Sequence, residues 1–311
     1  MTGKFFSVIV PTFNRRERVR ACLEALANLN YPKDQFEVIL VDDGGTADLE
    51  GLTPAISSRL CIQLVRQAHA GPAMARNRGA ENARGQILVF TDDDCEPAPD
   101  WLNAIEASLQ QFPDHIIGGR TVNAVPEDLY ASASQSVLDS IYMYYNRPGH
   151  NARFFASNNI AVPARLFRET GGFHLQFPAA AGEDREFCGR WLQRGFGLVY
   201  APNAVVLHRQ QPGLKAYWRQ HFRYGRGARR YRQIARAAGY RVRFETFALH
   251  WEIWRAPLRG TSGWNAMRTI CAVAISQIAV GAGFLREFLP HLFSTRRQGD
   301  HAGASALADR R

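Results

Sequence analysis

The chain has 311 residues, enough for one large or two modest domains. With 46% hydrophobic, 11% aromatic and 21% charged residues, it cannot be wholly disordered, collagen-like or a coiled coil. The formal net charge of +10 rests on 38 Lys and Arg, nearly all of them arginine, and predicts affinity for phosphates, nucleotides, nucleic acid or an acidic membrane face.

Met1 to Lys4 run straight into a strand-like FFSVIV (5–10), without the apolar stretch and small-residue cleavage site of a secretory leader, so none is expected. Val19, Cys22, Leu23, Leu26 and Leu29 then recur at three and four, the spacing of one helical face. FEVILV (36–41), LCIQLV (60–65) and QILVFT (86–91) read as further strands, with a helix between about 72 and 83. Near-continuous Val/Ile/Leu strands separated by helices predict a parallel sheet covered on both faces. A helix is expected from Pro99 to Phe112, a strand at HIIGGRTV (115–122) and a long helix around 127–145, after which the chain continues with FFASNNIAVP (154–163). The run GEDREFCGRWLQRG (182–195) reads as a helix, and two short strands are expected around 197–207. The five cysteines are widely spaced with no Cys-x-x-Cys pair, which supports neither a disulfide framework nor a zinc cluster.

Beyond His208 the texture changes: from Phe187 to Phe244 there are 13 Arg and Lys and no acidic residue. Helices are expected from Pro212 to about Phe293, and Thr269 to Leu285 is a 17-residue run without charge. That is short of the roughly 20 apolar residues of a spanning helix. The polar stretch from Ser294 to Arg311 reads as disordered. The expected organisation is a body at 1–210, a basic helical region at 211–293 and a tail at 294–311.

In an open parallel sheet, ligands bind at the carboxyl ends of the strands. Asp42-Asp43-Gly44-Gly45 follows FEVILV directly, and Asp92-Asp93-Asp94 follows QILVFT. The first is also what a plain polar turn looks like. Three adjacent carboxylates are harder to treat so: they repel one another unless a cation compensates, and hard cations such as Mg²⁺ or Mn²⁺ take such ligands together with substrate phosphates. Between the two lies Gly71-Pro72-Ala73-Met74-Ala75-Arg76-Asn77-Arg78-Gly79, whose spacing fits neither the dinucleotide fingerprint nor the P-loop. Glu183-Asp184 opens a helix, where an acid is either a dipole partner or a general base. His208 ends AVVLH and is a metal ligand or an ordinary imidazole.

In this order and spacing, these elements resemble family 2 glycosyltransferases. The resembling blocks are SVIVPTFNR (7–15), VILVDDGG (38–45), GPAMARNRGAENARGQILVFTDDDCEPAPDWL (71–102), FFASNNIAVPARLFRETGGF (154–173) and GEDREFCGRWLQRGFGLVYAPNAVVLH (182–208), covering about the first 210 residues. The resemblance implies a glycosyltransferase-A fold, which is a Rossmann-like, mostly parallel α/β sheet with helices on both faces. It also implies inverting transfer from a nucleoside-diphosphate sugar, a UDP-sugar before others, with Mg or Mn as cofactor. Carried over by position, Pro11 and Thr12 line the base and ribose pocket, Asp43 bonds the base, and Arg76 lies near base or phosphate. Asp92 or Asp93 faces the ribose, Asp94 holds the metal, His208 reaches the metal or the diphosphate, Asp184 is the base, and Glu183 and Asn158 serve the acceptor or support the site. Gly45 departs from the serine common at that place.

In the C-terminal part, Arg219, Arg223, Arg226, Arg229, Arg230, Arg232 and Arg236 interleave with Trp218, Phe222, Tyr224 and Tyr231. This pattern suits RNA, an anionic leaflet or a solvated face. With the apolar run behind it, the expectation is no nucleic acid partner and peripheral attachment to the cytoplasmic face of a membrane, with a saccharide or lipid-linked acceptor in polysaccharide or glycolipid synthesis. A sugar nucleotidyltransferase is the competing enzyme, but it begins with a glycine-rich, Arg-containing loop where this chain has Pro11-Thr12-Phe13-Asn14. A processive synthase calls for several spanning helices, and an inactive nucleotide-sugar-binding module for lost acidic positions.

Overall fold

The computed structural model describes residues 5–52, 56–146, 152–177, 181–240, 247–259 and 263–287, and the expected tail at 294–311 lies outside them. Eight strands form one sheet in the order β3-β2-β1-β4-β7-β6-β8-β5. They are β1 (Phe6–Thr12), β2 (Phe36–Asp42), β3 (Ile62–Arg66), β4 (Ile87–Thr91), β5 (Cys95–Pro97), β6 (Ile116–Asn123), β7 (Asn159–Pro163) and β8 (Leu198–His208). β1, β2, β3 and β4 run parallel, as do β6 and β8, while β7 lies antiparallel to β4 and β6, and β5 to β8. The sheet is thus mixed and mostly parallel, with helices around it.

Successive strand residues face opposite ways, so each apolar run feeds two cores. Val8, Val10, Val38, Leu40 and Val89 pack under α1 (Arg16–Ala27) and α3 (Trp101–Gln111), with Val19, Cys22, Leu23, Trp101 and Leu102. Ile9, Ile39, Val41, Leu88 and Phe90 face α2 (Pro72–Asn82), α5 (Ala164–Thr170) and α6 (Glu183–Gln193), with Ala73, Phe167 and Phe187. Gly79 lets α2 lie on the sheet, since a Cβ there would run into Ile9. Trp101, fully buried, donates its indole N–H to Asn159 Oδ1 at 2.9 Å, while the Asn159 amide bonds the carbonyls of Arg120 and Ala204.

One local expectation is corrected. The segment 197–207 is one strand, not two, with a register shift against β6: Gly119 pairs with Ala201 and Arg120 with Val205. The residues between bulge out and leave the ladder. In 154–163 the strand is confined to Asn159–Pro163.

After β8, helices α7 (Leu214–Ala237), α8 (Phe247–Arg255) and α9 (Gly263–Arg286) gather on α4 (Leu129–Tyr145). Their shared core is Ala133, Val137, Tyr217, Leu249, Ile253, Ala272 and Val273. α7 and α9 touch backbone to backbone: a Cβ at Gly225 would strike the Val280 carbonyl, and one at Gly283 the Phe222 carbonyl. All five cysteines are free thiols.

Candidate active site

Because β1, β2 and β4 are parallel and in register, with Thr12 opposite Asp42, their carboxyl ends reach one rim together. Asp92, Asp93 and Asp94 follow β4 on that rim. Thr12 Oγ1 donates to Asp93 Oδ2 at 2.7 Å, and Arg15 reaches Asp93 at 3.0 Å. Burial and the neighbouring Asp94 charge push the Asp93 carboxyl up to about 6, against those two bonds. Asp94 is the better compensated: Arg18 lies 2.9 Å from its Oδ2, Gln210 donates at 3.2 Å, and His208 Nε2 is 3.3 Å from Oδ1. Burial opposes its charge, but His208, Arg15 and Arg18 outweigh it and hold the carboxyl well below the usual range. His208 in turn is raised: burial works against its charge, and the bond to Asp94 overcomes it.

A hard cation would fit here. Asp94 and His208 present an oxygen and an imidazole nitrogen, and together with Cys95 Sγ their ligand atoms lie within 4.8 Å of one another. Burial drives the Cys95 thiol far above its ordinary range, so it stays protonated, which leaves an O/N set suited to Mg²⁺ or Mn²⁺.

Asp43, after β2, is clasped by the loop that leads to α2. It accepts from Gln67 at 2.7 Å, from the Ala70 N–H at 2.8 Å and from the Gly71 N–H at 2.9 Å, and His69 Nδ1 stands 2.9 Å away. The His69 ring lies 4.4 Å from that of Phe13 at 30°, a flat, partly exposed pair beside Asp43. Gly45 also has a local reason: a Cβ there would press on Asp42 Oδ1 at 2.9 Å and Asn14 Oδ1 at 3.0 Å.

The two halves of the site are joined by Arg76. Its guanidinium, 2% exposed, bonds Asp92 at 2.7 Å and Glu183 at 3.1 Å. Glu183 also accepts from the Ala181 N–H at 2.8 Å. Burial and Asp184 push its carboxyl up to about 7 against Arg76. Asp184, half-buried at the start of α6, accepts from the Arg185 N–H at 2.7 Å, and burial raises it despite that bond and the nearby arginines. A carboxyl so raised is a stronger proton acceptor than an ordinary carboxylate.

Thr12, Asp93, Asp94 and His208 therefore form one bonded cluster through Arg15, and Arg76, Asp92 and Glu183 a second, the two meeting at the consecutive residues Asp92 and Asp93, with Asp184 next to Glu183 and Pro11 in β1 pairing Val41. Asn158 stands apart, its amide engaged with Thr121 at 3.3 Å and Cys95 at 3.8 Å, a supporting geometry. Arg15, Arg18, Gln210, Phe13 and His69 were not singled out by their sequence. The one signal for the arginines was their place directly after β1, on the rim that the acids share.

The profile of "Glycosyl transferase family 2" matches residues 7–171, more than half of the chain. The chain belongs to glycosyltransferase family 2. Among curated relatives of this transferase, Glycosyltransferase AglE of Haloferax volcanii is 28% identical over 73% of this chain and 73% of its own length. Hyaluronan synthase of Pasteurella multocida is 29% identical over 67% of this chain, which spans 25% of that protein's length. A mannosyltransferase from Pyrobaculum calidifontis in complex with GDP-Man and Mn²⁺ superposes with a TM-score of 0.59 at 20% identity, covering 100% of this chain and 89% of that one. The transferase thus has the glycosyltransferase-A fold.

Proposed function

We propose that this transferase moves a sugar, with inversion, from a nucleoside-diphosphate sugar to a hydroxyl of a saccharide or lipid-linked acceptor in cell-surface polysaccharide or glycolipid synthesis. What carries the reading is the joining of the Asp92–Asp94 rim to the Glu183–Asp184 pair through the buried Arg76. Pro11, Thr12 and Asp43 line the base and ribose, with the Phe13–His69 pair as a flat surface beside them. Asp92 and Asp93 face the ribose, and Asp94 and His208 hold Mg²⁺ or Mn²⁺. When bound, that cation supplies positive charge next to the leaving diphosphate.

Asp184 takes the proton of the acceptor hydroxyl. The hydroxyl oxygen forms a bond to C1 while the bond from C1 to the diphosphate oxygen breaks on the opposite face. The electron pair departs with the nucleoside diphosphate, and one displacement inverts the anomeric centre. Arg15 and Arg18 stand where they neutralise leaving charge. No second carboxylate is required as a nucleophile.

The basic α7 and the exposed face of α9 support peripheral attachment to the cytoplasmic face of a membrane. Among the described residues, α9 is the one helix long and apolar enough to cross a membrane, with 28% of its most apolar stretch buried.

The deciding experiment incubates purified full-length protein and Mn²⁺ with a panel of UDP-, GDP- and dTDP-sugars and measures nucleoside diphosphate release. We expect release from one donor, a UDP-sugar first. No release from any donor removes the reading, as would formation of nucleoside triphosphate and sugar 1-phosphate when pyrophosphate is added, which belongs to a nucleotidyltransferase.

A further inference from the structure

An open pocket lies beside the amino end of α6, lined by Phe177, Ala181, Gly227, the guanidinium-bearing Arg223, Arg226 and Arg230, and one carboxylate, Glu287. The three arginines stand at i, i+3 and i+7 of α7, on one helical face. Arg226 is paired with Glu287. Arg223 and Arg230 have no acidic partner among the described residues, so the pocket keeps an excess of positive charge.

Its position is fixed by glycine. A Cβ at Gly227 would strike the Ala181 carbonyl, and one at Gly182 would come within 2.9 Å of the Gly227 carbonyl, so α7 lies backbone against backbone on the residues that lead into Glu183 and Asp184. Ala181, a wall of the pocket, is itself bonded to Glu183. The same helix reaches the metal end of the site: Gln220 donates to both Tyr224 and Gln210, and Gln210 donates to Asp94. α7 therefore runs along the reacting centre and puts its unpaired arginines on the Asp184 side.

An apolar surface adjoins it. α9 is locked to α7 through Gly225 and Gly283, and Phe284 lies under the guanidinium groups of Arg229 and Arg232. Elsewhere on α9, Ile278 and Leu285 stand 62% and 64% exposed. A planar guanidinium fork matches phosphate oxygens, and an alkyl chain leaving that phosphate would find cover on the exposed apolar side chains of α9.

We propose that the Arg223–Arg226–Arg230 pocket holds the phosphate of the acceptor, which is a sugar carried through phosphate on a lipid chain. The proposal rests on Asp184 being the acceptor side of the transferase. It names the acceptor's chemical class, which the carboxylate network by itself does not.

The test measures binding of decyl phosphate to the full chain by calorimetry, below its micelle concentration, with decyl glucoside as the neutral control. Arg223→Gln/Arg230→Gln alters exposed and half-exposed side chains without acidic partners, and its melting temperature is recorded to verify folding. We expect decyl phosphate to bind the wild type well ahead of decyl glucoside, and the double variant to weaken it at least tenfold. The variant Arg15→Gln/Arg18→Gln is expected to keep it. Loss only in the second variant would give the phosphate to the donor side and overturn the proposal, as would equal binding of both amphiphiles. Capture on phosphatidylglycerol vesicles that vanishes in the first variant, with no decyl phosphate binding, would assign the arginines to membrane headgroups instead. Donor turnover by the wild type is measured in parallel: its absence removes the transferase reading, whereas a decyl phosphate result against the pocket leaves that reading standing.

Discussion

Arg76 and Glu183, 107 residues apart in the chain, meet at 3.1 Å with both side chains buried, and the other arm of Arg76 holds Asp92 at 2.7 Å. One cation thus compensates two acids from different ends of the catalytic body. Taking away one partner of a buried pair leaves uncompensated charge and costs about 3–5 kcal/mol. Arg76→Met is accordingly expected to lower the urea midpoint by an amount of that order and to abolish transfer. Arg76→Lys keeps the charge but not the fork, so it should recover part of the stability and little of the activity. An Arg76→Met protein with the wild-type midpoint would remove the bridge from the account of stability.

The Glu183–Asp184 pair predicts a pH dependence. Both carboxyls are raised, Asp184 chiefly by burial, so the base in this pair is ionised at higher pH than an ordinary carboxylate. Transfer should therefore fall with decreasing pH at a point above the range of an ordinary carboxylate near 4. Stability has the opposite sign: a raised carboxyl contributes fully below its unfolded value, and that contribution is lost as pH rises through the folded one. Asp184→Asn should reduce kcat by about 10²–10⁴ with donor affinity kept. A variant that is merely less thermostable, with kcat preserved, would make Asp184 a helix-end residue.

Much of this arrangement is legible in the sequence because the carboxyl ends of parallel strands are marked by where apolar runs stop, and Asp43 and Asp92 to Asp94 begin at those stops. Pairing direction is not so marked. The run at Asn159–Pro163 is as apolar as its parallel neighbours, yet lies antiparallel between β4 and β6. Cys95–Pro97 makes too short a strand to show a period, and the bulge in β8 follows from its pairing with β6. Arg15 and Arg18 read locally as a solvated helix start, and only the fold brings them over Asp94. A glycine inside a helix marks weak propensity when taken alone, and the meaning of Gly225 and Gly227 in α7 lies in the backbones of α9 and of residues 181–182.

The Asp94–His208 pair makes metal dependence testable. A donor diphosphate brought next to Asp92, Asp93 and Asp94 adds negative charge to a rim that Arg15 and Arg18 only partly compensate. Chelation with EDTA should abolish turnover, and Mn²⁺ or Mg²⁺ should restore it. Asp94→Asn should lose metal-dependent donor binding, and its melting temperature should fall, because it takes the charge out of the buried pairs with Arg18 and His208. Full turnover after exhaustive chelation would take the cation out of the mechanism.

Membrane attachment makes separable demands on charge and on apolar area. Arginines near an anionic surface contribute about 1 kcal/mol each and are screened by salt, whereas inserted apolar side chains are not. Deleting α9 is a poor test, because it would remove Ala272 and Val273 from the core shared with α4 and α7 and uncover Ala133, Val137 and Tyr217. Ile278→Glu/Leu285→Glu changes only side chains that stand on the exposed face. The wild type should sediment with phosphatidylglycerol-containing vesicles at low salt and be released in part at high salt, since apolar contact holds the remainder. The double variant should bind at low salt and be released completely at high salt. If both proteins stay in the supernatant at low salt, no leaflet is engaged, and the open face of α9 is then better assigned to contact with another protein surface.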